Sequence, residues 1–154
     1  MKTRVFFAAT VVIFLLMASL LHAADGPAGP SWTFVGYTKY RDPIYLDTSR
    51  LTKESPQESL AICRITPSAK SRFLRQIQGE LRKAKIPSAG FRYMEISAGI
   101  DCGKKVIRFP AVKYFTADGR LLHSDEDPGA RWTPIAPGSR WDSLRGNVCG
   151  KEPR

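Results

Sequence analysis

Apolar positions recur along this chain at two spacings, and the changes between them outline the fold. From Trp32 to Lys39 the chain alternates, with Trp32, Phe34 and Gly36 against Thr33, Val35 and Tyr37, the two-residue period of a strand. Arg41-Asp42-Pro43 reads as a turn and Ile44 to Leu46 as a short second strand, followed by a polar stretch from Asp47 to Ser59. Leu60 to Ile65 is a third strand, ended by Pro67. Phe91 to Ile100 is a fourth, with Phe91, Tyr93 and Glu95 opposite Arg92, Met94 and Ile96. Lys104 to Phe115 is a fifth, interrupted at Pro110 as at an edge or a bulge. The hairpin signal Thr116-Ala117-Asp118-Gly119 leads into Arg120 to Ser124, and an acidic loop runs from Ser124 to Gly129. Short strands with tight polar joints predict an antiparallel sheet of about six strands.

Two segments break this pattern. Between Ser68 and Lys85, Phe73, Leu74, Ile77, Leu81 and Ala84 fall at helical spacing, Ser68 can cap the start, and Pro87 forbids continuation. The other side of this helix carries Lys70, Arg72, Arg75, Arg82, Lys83 and Lys85 against Glu80 alone, a local charge of +5. Such a face is either the solvated outside of a helix covering the sheet or a surface that holds an anionic membrane or an acidic partner. The second segment is the C-terminal end. Ser139 follows Pro137-Gly138 and precedes Asp142 by three, which starts a helix at about Ser139. Trp141, Leu144 and Val148 then share one face. Gly146 weakens so short a helix by about 1 kcal/mol relative to alanine, so it needs a tether. Trp132 and Trp141 are expected to pack between this helix and the sheet. The fold class is α+β.

The N-terminus changes the compartment. Lys2 and Arg4 precede an apolar run from Val5 to Leu21, then Ala23-Ala24, the layout of a secretory signal peptide over residues 1–23. A retained anchor is the alternative, although 17 residues fall short of the roughly 20 needed to span a bilayer. Residues 24–30 form a flexible leader and 31–150 a single domain. Removing 1–23 takes two of the 24 basic residues and no acidic one, leaving 22 against 14 and a net charge of +8. That excess favours anionic surfaces. Export makes nucleic acid the least suitable of them.

Cys63, Cys102 and Cys149 allow one bridge in an oxidising compartment. Cys102 stands at a strand end and Cys149 at the end of the terminal helix, whereas Cys63 lies within an apolar strand, so we pair Cys102 with Cys149. Once the signal is removed His123 is the remaining histidine. A Cys63–His123 nucleophile pair has nothing to supply its geometry. Asp125, Glu126 and Asp127 lack the interleaving of a calcium loop. Haem held by His123 or Tyr114 is a distant alternative. Without an acid, base and nucleophile set, the reading is a non-enzymatic protein with no metal or cofactor. Its expected partner is a host or envelope protein, an acidic glycan or an anionic lipid, or else a second copy of the chain in a structural envelope role.

Trp32, Tyr45-Leu46-Asp47, Asp101-Cys102, the hairpin from Tyr114 to Gly119, Trp132, Pro137-Gly138-Ser139 and Val148-Cys149 occur in an order that resembles the bacterial surface-adhesin protein E family. The resemblance implies a sheet of about six antiparallel strands with a C-terminal helix fastened across it by the bridge between Cys102 and Cys149. It also implies an exported envelope protein, in a family whose better-known members bind host matrix or serum proteins and haem. Cys63, the lack of a lipid-anchor cysteine and the long basic helix depart from the family pattern.

Overall fold

The computed structural model describes residues 30–150; the expected signal peptide (1–23) and residues 24–29 of the leader lie outside the described residues. Six strands follow one another: β1 Trp32–Tyr37, β2 Pro43–Lys53, β3 Glu58–Ile65, β4 Phe91–Asp101, β5 Val106–Thr116 and β6 Leu121–Glu126. Each pairs antiparallel with the next, and a two-residue β7, Thr133–Pro134, pairs with the start of β5. Helix α1, Arg72–Lys83, is inserted between β3 and β4, and α2, Arg140–Cys149, closes the domain. Among the described residues no helix is long and apolar enough to cross a membrane.

Alternation along β3 assigns the two faces of the sheet. Ala61, Cys63 and Ile65 are buried, while Leu60, Ile62 and Arg64 point the other way. The buried side meets Ile44, Leu46, Met94, Ala98, Ile100 and Ile107 from neighbouring strands, Ile77 and Leu81 from α1, and Leu144 and Val148 from α2. One face is therefore covered by both helices and the other is open.

Irregularities adjust this pattern. Register shifts between Phe91 and Tyr93, so Phe91 joins Met94 in the core and not Tyr93 and Glu95 as simple alternation predicts. A second shift sets Ser97 opposite Ala111 and Gly99 opposite Arg108, with Pro110 in the extra length of β5. That bulge accommodates a proline in an interior strand. β2 runs past the expected end at Leu46 to Lys53, into the polar stretch, because extra residues between Asp47 and Thr52 let it rejoin β3 at Leu60 and Ser59. Ser124 to Glu126 likewise continue β6, so the acidic loop starts only at Asp127.

The helix ends also show where local rules hold. Ser139 caps α2, its Oγ accepting from Asp142 N at 3.2 Å while Asp142 Oδ2 accepts from Gly138 N at 2.9 Å. Cys102 and Cys149 are joined by a disulfide that ties the end of β4 to the end of α2. α1 begins later than expected, capped by Ser71 and not by Ser68. Trp141 packs on Phe109, ring centroids 5.0 Å apart. Trp132 does not join it: β7 carries it onto the open face, 39% exposed, with the Arg108 guanidinium 4.7 Å above its ring.

Candidate functional site

Two segments distant in sequence converge at the start of α1. The first is the β1–β2 turn, drawn tight by Thr38, whose Oγ1 accepts from the amides of Tyr40 and Asp42 at 3.2 and 3.1 Å. This turn holds Arg41 at φ 67, a left-handed conformation that costs a non-glycine residue about 1–2 kcal/mol. The second is the approach to α1 from Pro67. Asp42 joins the two: buried to 1% exposure, it accepts from Ser68 N at 3.1 Å and from Ser71 Oγ at 2.6 Å. Tyr40 reinforces the junction by stacking on Phe73 at 6.0 Å and donating its hydroxyl to Gln76 Oε1 at 3.0 Å.

The junction encloses an open concavity of about 390 Å³ lined by Lys39, Tyr40, Arg41, Ser68, Lys70 and Arg72. Four of these are cations, and none forms an ion pair with a described carboxylate. Asp42 is not paired with any of them; its oxygens accept from Ser68 N and Ser71 Oγ. Outward from this concavity, Arg75, Arg82 and Lys83 are exposed on α1, and Lys85 follows the helix with φ 60. Arg75 Nη1 donates to Lys70 O at 3.2 Å, and Glu80 accepts from Gln76 at 3.0 Å without an ion pair to a described cation. The six basic residues read from the sequence therefore lie along one surface. Lys39 and Arg41 extend it; the TKYR run of the turn is their only sequence signal, and its placement beside α1 is a tertiary effect.

The open face holds a different constellation. The extra residues of β2 project Arg50 across the sheet, where its Nη1 and Nη2 reach the Glu95 carboxylate at 3.0 and 3.1 Å while its Nε bonds Asp47 at 2.6 Å. Arg64 donates to Glu95 at 2.7 Å and lies 4.2 Å from both the Trp32 and the Tyr93 ring, a guanidinium held between two aromatic faces. Asp47, Arg50, Arg64 and Glu95 border a cleft of about 690 Å³. Burial alone would raise the Glu95 carboxyl, but hydrogen bonds from Arg50 and Arg64 outweigh it and hold it below the usual carboxylate range. Asp47 is held low in the same way, by Ser49 and Arg50 against its burial. Two arginines thus neutralise two carboxylates, and neither acid is poised to donate a proton near neutral pH.

Tyr114 and His123 do come together, ring centroids 6.0 Å apart, where α1 crosses β5 and β6. They border a hollow of about 180 Å³, well below the roughly 300 Å³ of sites that bury a drug-sized ligand. His123 Nε2 is engaged by Asp125 Oδ1 at 2.7 Å. Burial, with the negative charges of Asp125 and Glu80, pushes the Tyr114 phenol up to about 12. A haem macrocycle does not fit this hollow as it stands. Asp125, Glu126 and Asp127 serve His123, Ser124 and the Gly129 amide separately, and among the described residues no group of three His, Cys, Asp or Glu is arranged to hold a metal ion. Cys63 is buried, and loss of solvent pushes its thiol up to about 12, which leaves it unreactive.

Residues 32–150 match the profile of the family Surface-adhesin protein E. A search of curated protein sequences finds no match. Similar solved structures include Haemophilus influenzae protein E in crystal form II, at 9% identity and TM-score 0.49 over 81% of this chain and 90% of that one. A second structure of Haemophilus influenzae protein E covers 81% of this chain and 86% of that one at 9% identity and TM-score 0.48.

Proposed function

Because the chain belongs to the surface-adhesin protein E family, we propose that the mature protein is an exported, non-enzymatic binding module of a bacterial cell envelope whose partner docks on the basic surface of α1. The observation that carries this reading is the set Lys70, Arg72, Arg75, Arg82, Lys83 and Lys85, all exposed and none ion-paired with a described carboxylate. Elsewhere the chain neutralises its buried and half-buried charges with care, as Arg50, Arg64 and Arg108 show. Uncompensated charge on one helix supplies attraction and steering toward an anionic partner, whether a protein, an acidic glycan or a lipid surface. Replacing all six by glutamine tests it. Salt-sensitive retention on heparin and on anionic vesicles should be lost; unchanged binding would remove α1 as the docking surface.

A further inference from the structure

The basic surface is not uniform. Its cations along α1 stand on a convex helix, whereas Lys39, Arg41, Lys70 and Arg72 surround a concavity, contributed by two chain segments that Asp42 locks together. Resting on the reading above, we propose that this concavity is a subsite for one sulfate ester of a linear sulfated glycan, whose chain then runs along the outer side of α1.

The chemistry of the lining favours such a group. A sulfate ester is permanently charged and offers three acceptor oxygens in a tetrahedral array, which ammonium and guanidinium donors can approach from several sides. Two arginines and two lysines supply those donors, and Tyr40 and Ser68 complete the lining. Rigidity matters as much as charge. Arg41 is held in a left-handed conformation by a turn whose amides are fixed on Thr38, and Arg72 opens a helix capped by Ser71, so the bases of both side chains are set before a ligand arrives. Beyond the concavity, Arg75, Arg82 and Lys83 continue for three helical turns, about 16 Å from Arg72 to Lys83, a length that only an extended polyanion engages at several points.

The same geometry argues against a bilayer as the occupant. An interfacial helix submerges its apolar side, but Ile77 and Leu81 of α1 are buried against the sheet at 5% and 3% exposure. Among the described residues, the exposed large hydrophobic ones, Phe34, Tyr37, Leu121 and Trp132, all lie outside α1.

The test compares two pairs of equal charge loss in the mature protein. Lys39→Gln with Arg41→Asn strips the turn side of the concavity, asparagine being tolerant of the left-handed backbone; Arg82→Gln with Lys83→Gln strips the far end of α1. Calorimetric titration uses a size-defined, fully sulfated heparin octasaccharide. Loss of charge-assisted hydrogen bonds in a fixed site should weaken binding about tenfold or more in the first pair, against about threefold or less for exposed cations in the second. Inorganic sulfate should compete with the octasaccharide for the unchanged protein and not for the first pair. Equal losses in the two pairs would overturn the subsite. If the six-glutamine variant loses binding while Lys39→Gln with Arg41→Asn keeps it, the subsite falls and the docking surface stands; if the six-glutamine variant binds unchanged, the docking surface itself falls. Phosphatidylglycerol vesicles that bind through Lys39 and Arg41 without any octasaccharide binding would overturn the glycan. An unchanged unfolding midpoint in each variant shows that the fold is kept.

Discussion

Ser71 Oγ donates to Asp42 Oδ2 at 2.6 Å and accepts from Phe73 N at 3.0 Å, so one hydroxyl both caps α1 and satisfies a buried carboxylate 29 residues away in sequence. Ser71→Ala removes both functions. A lost cap costs about 1 kcal/mol, and a buried charged acceptor short of a donor costs about 1–3 kcal/mol more. Denaturant unfolding should show a loss of about 2–4 kcal/mol. Ser68→Ala should change stability by less than about 0.5 kcal/mol, because Ser68 contributes its backbone amide and carbonyl to this junction and not its hydroxyl.

That pair also shows which parts of the molecule the residues announce by themselves. Ser68 and Ser71 are both competent caps, and the choice between them is made by Asp42, which local spacing does not connect to either. The start of α2 was legible because Ser139, Asp142 and Gly138 satisfy one another within five residues. Strand order was legible for the same reason, since each strand pairs with its neighbour in the chain. The faces of Phe91 and the length of β2 were not, because bulges shift parity without changing composition. Trp132 is placed by a strand of two residues, too short to leave a period. Of the basic surface, the α1 cations were visible as charges without counter-ions, whereas Lys39 and Arg41 reach it only through the fold.

The bridge between Cys102 and Cys149 should dominate the stability of the C-terminal helix. It closes a loop of 47 residues, which removes about 4 kcal/mol of unfolded-chain entropy in the loop-closure description. The double variant Cys102→Ala with Cys149→Ala should lose roughly that amount in chemical unfolding. Peptide mapping without reductant should recover the Cys102–Cys149 pair and leave Cys63 as a thiol that reacts with alkylating agents only after unfolding.

Two glycines inside helices have no packing reason to be glycine. A methyl group at Gly79 or at Gly146 would meet nothing within 4 Å, and neither residue has a positive φ. Gly79→Ala and Gly146→Ala should each stabilise the protein by about 0.5–1 kcal/mol through helix propensity, seen as a higher unfolding midpoint. Gly36→Ala should do the reverse, since its added carbon would stand 3.3 Å from Arg140 Cβ and its φ of 153 suits glycine.

The open face should make the fold sensitive to acid. Asp47 and Glu95 both titrate below their ordinary values in the folded protein, so the unfolded chain binds protons first as the pH falls. Their contribution is complete above the unfolded values, about 3.9 for Asp and 4.3 for Glu, and is lost as the pH drops through the depressed folded values. Stability should therefore hold steady from neutral pH to about 5 and fall below about 4. Glu95→Gln separates this network from general acid unfolding: it deprives Arg50 and Arg64 of their shared carboxylate and should cost about 2 kcal/mol at pH 7. Because the variant has no Glu95 proton to take up, its stability should also decline less between pH 5 and 3 than that of the unchanged protein. Unfolding free energies measured across that range would show parallel curves if the Glu95 carboxyl titrated normally in the fold, and converging curves if the arginines hold it ionised.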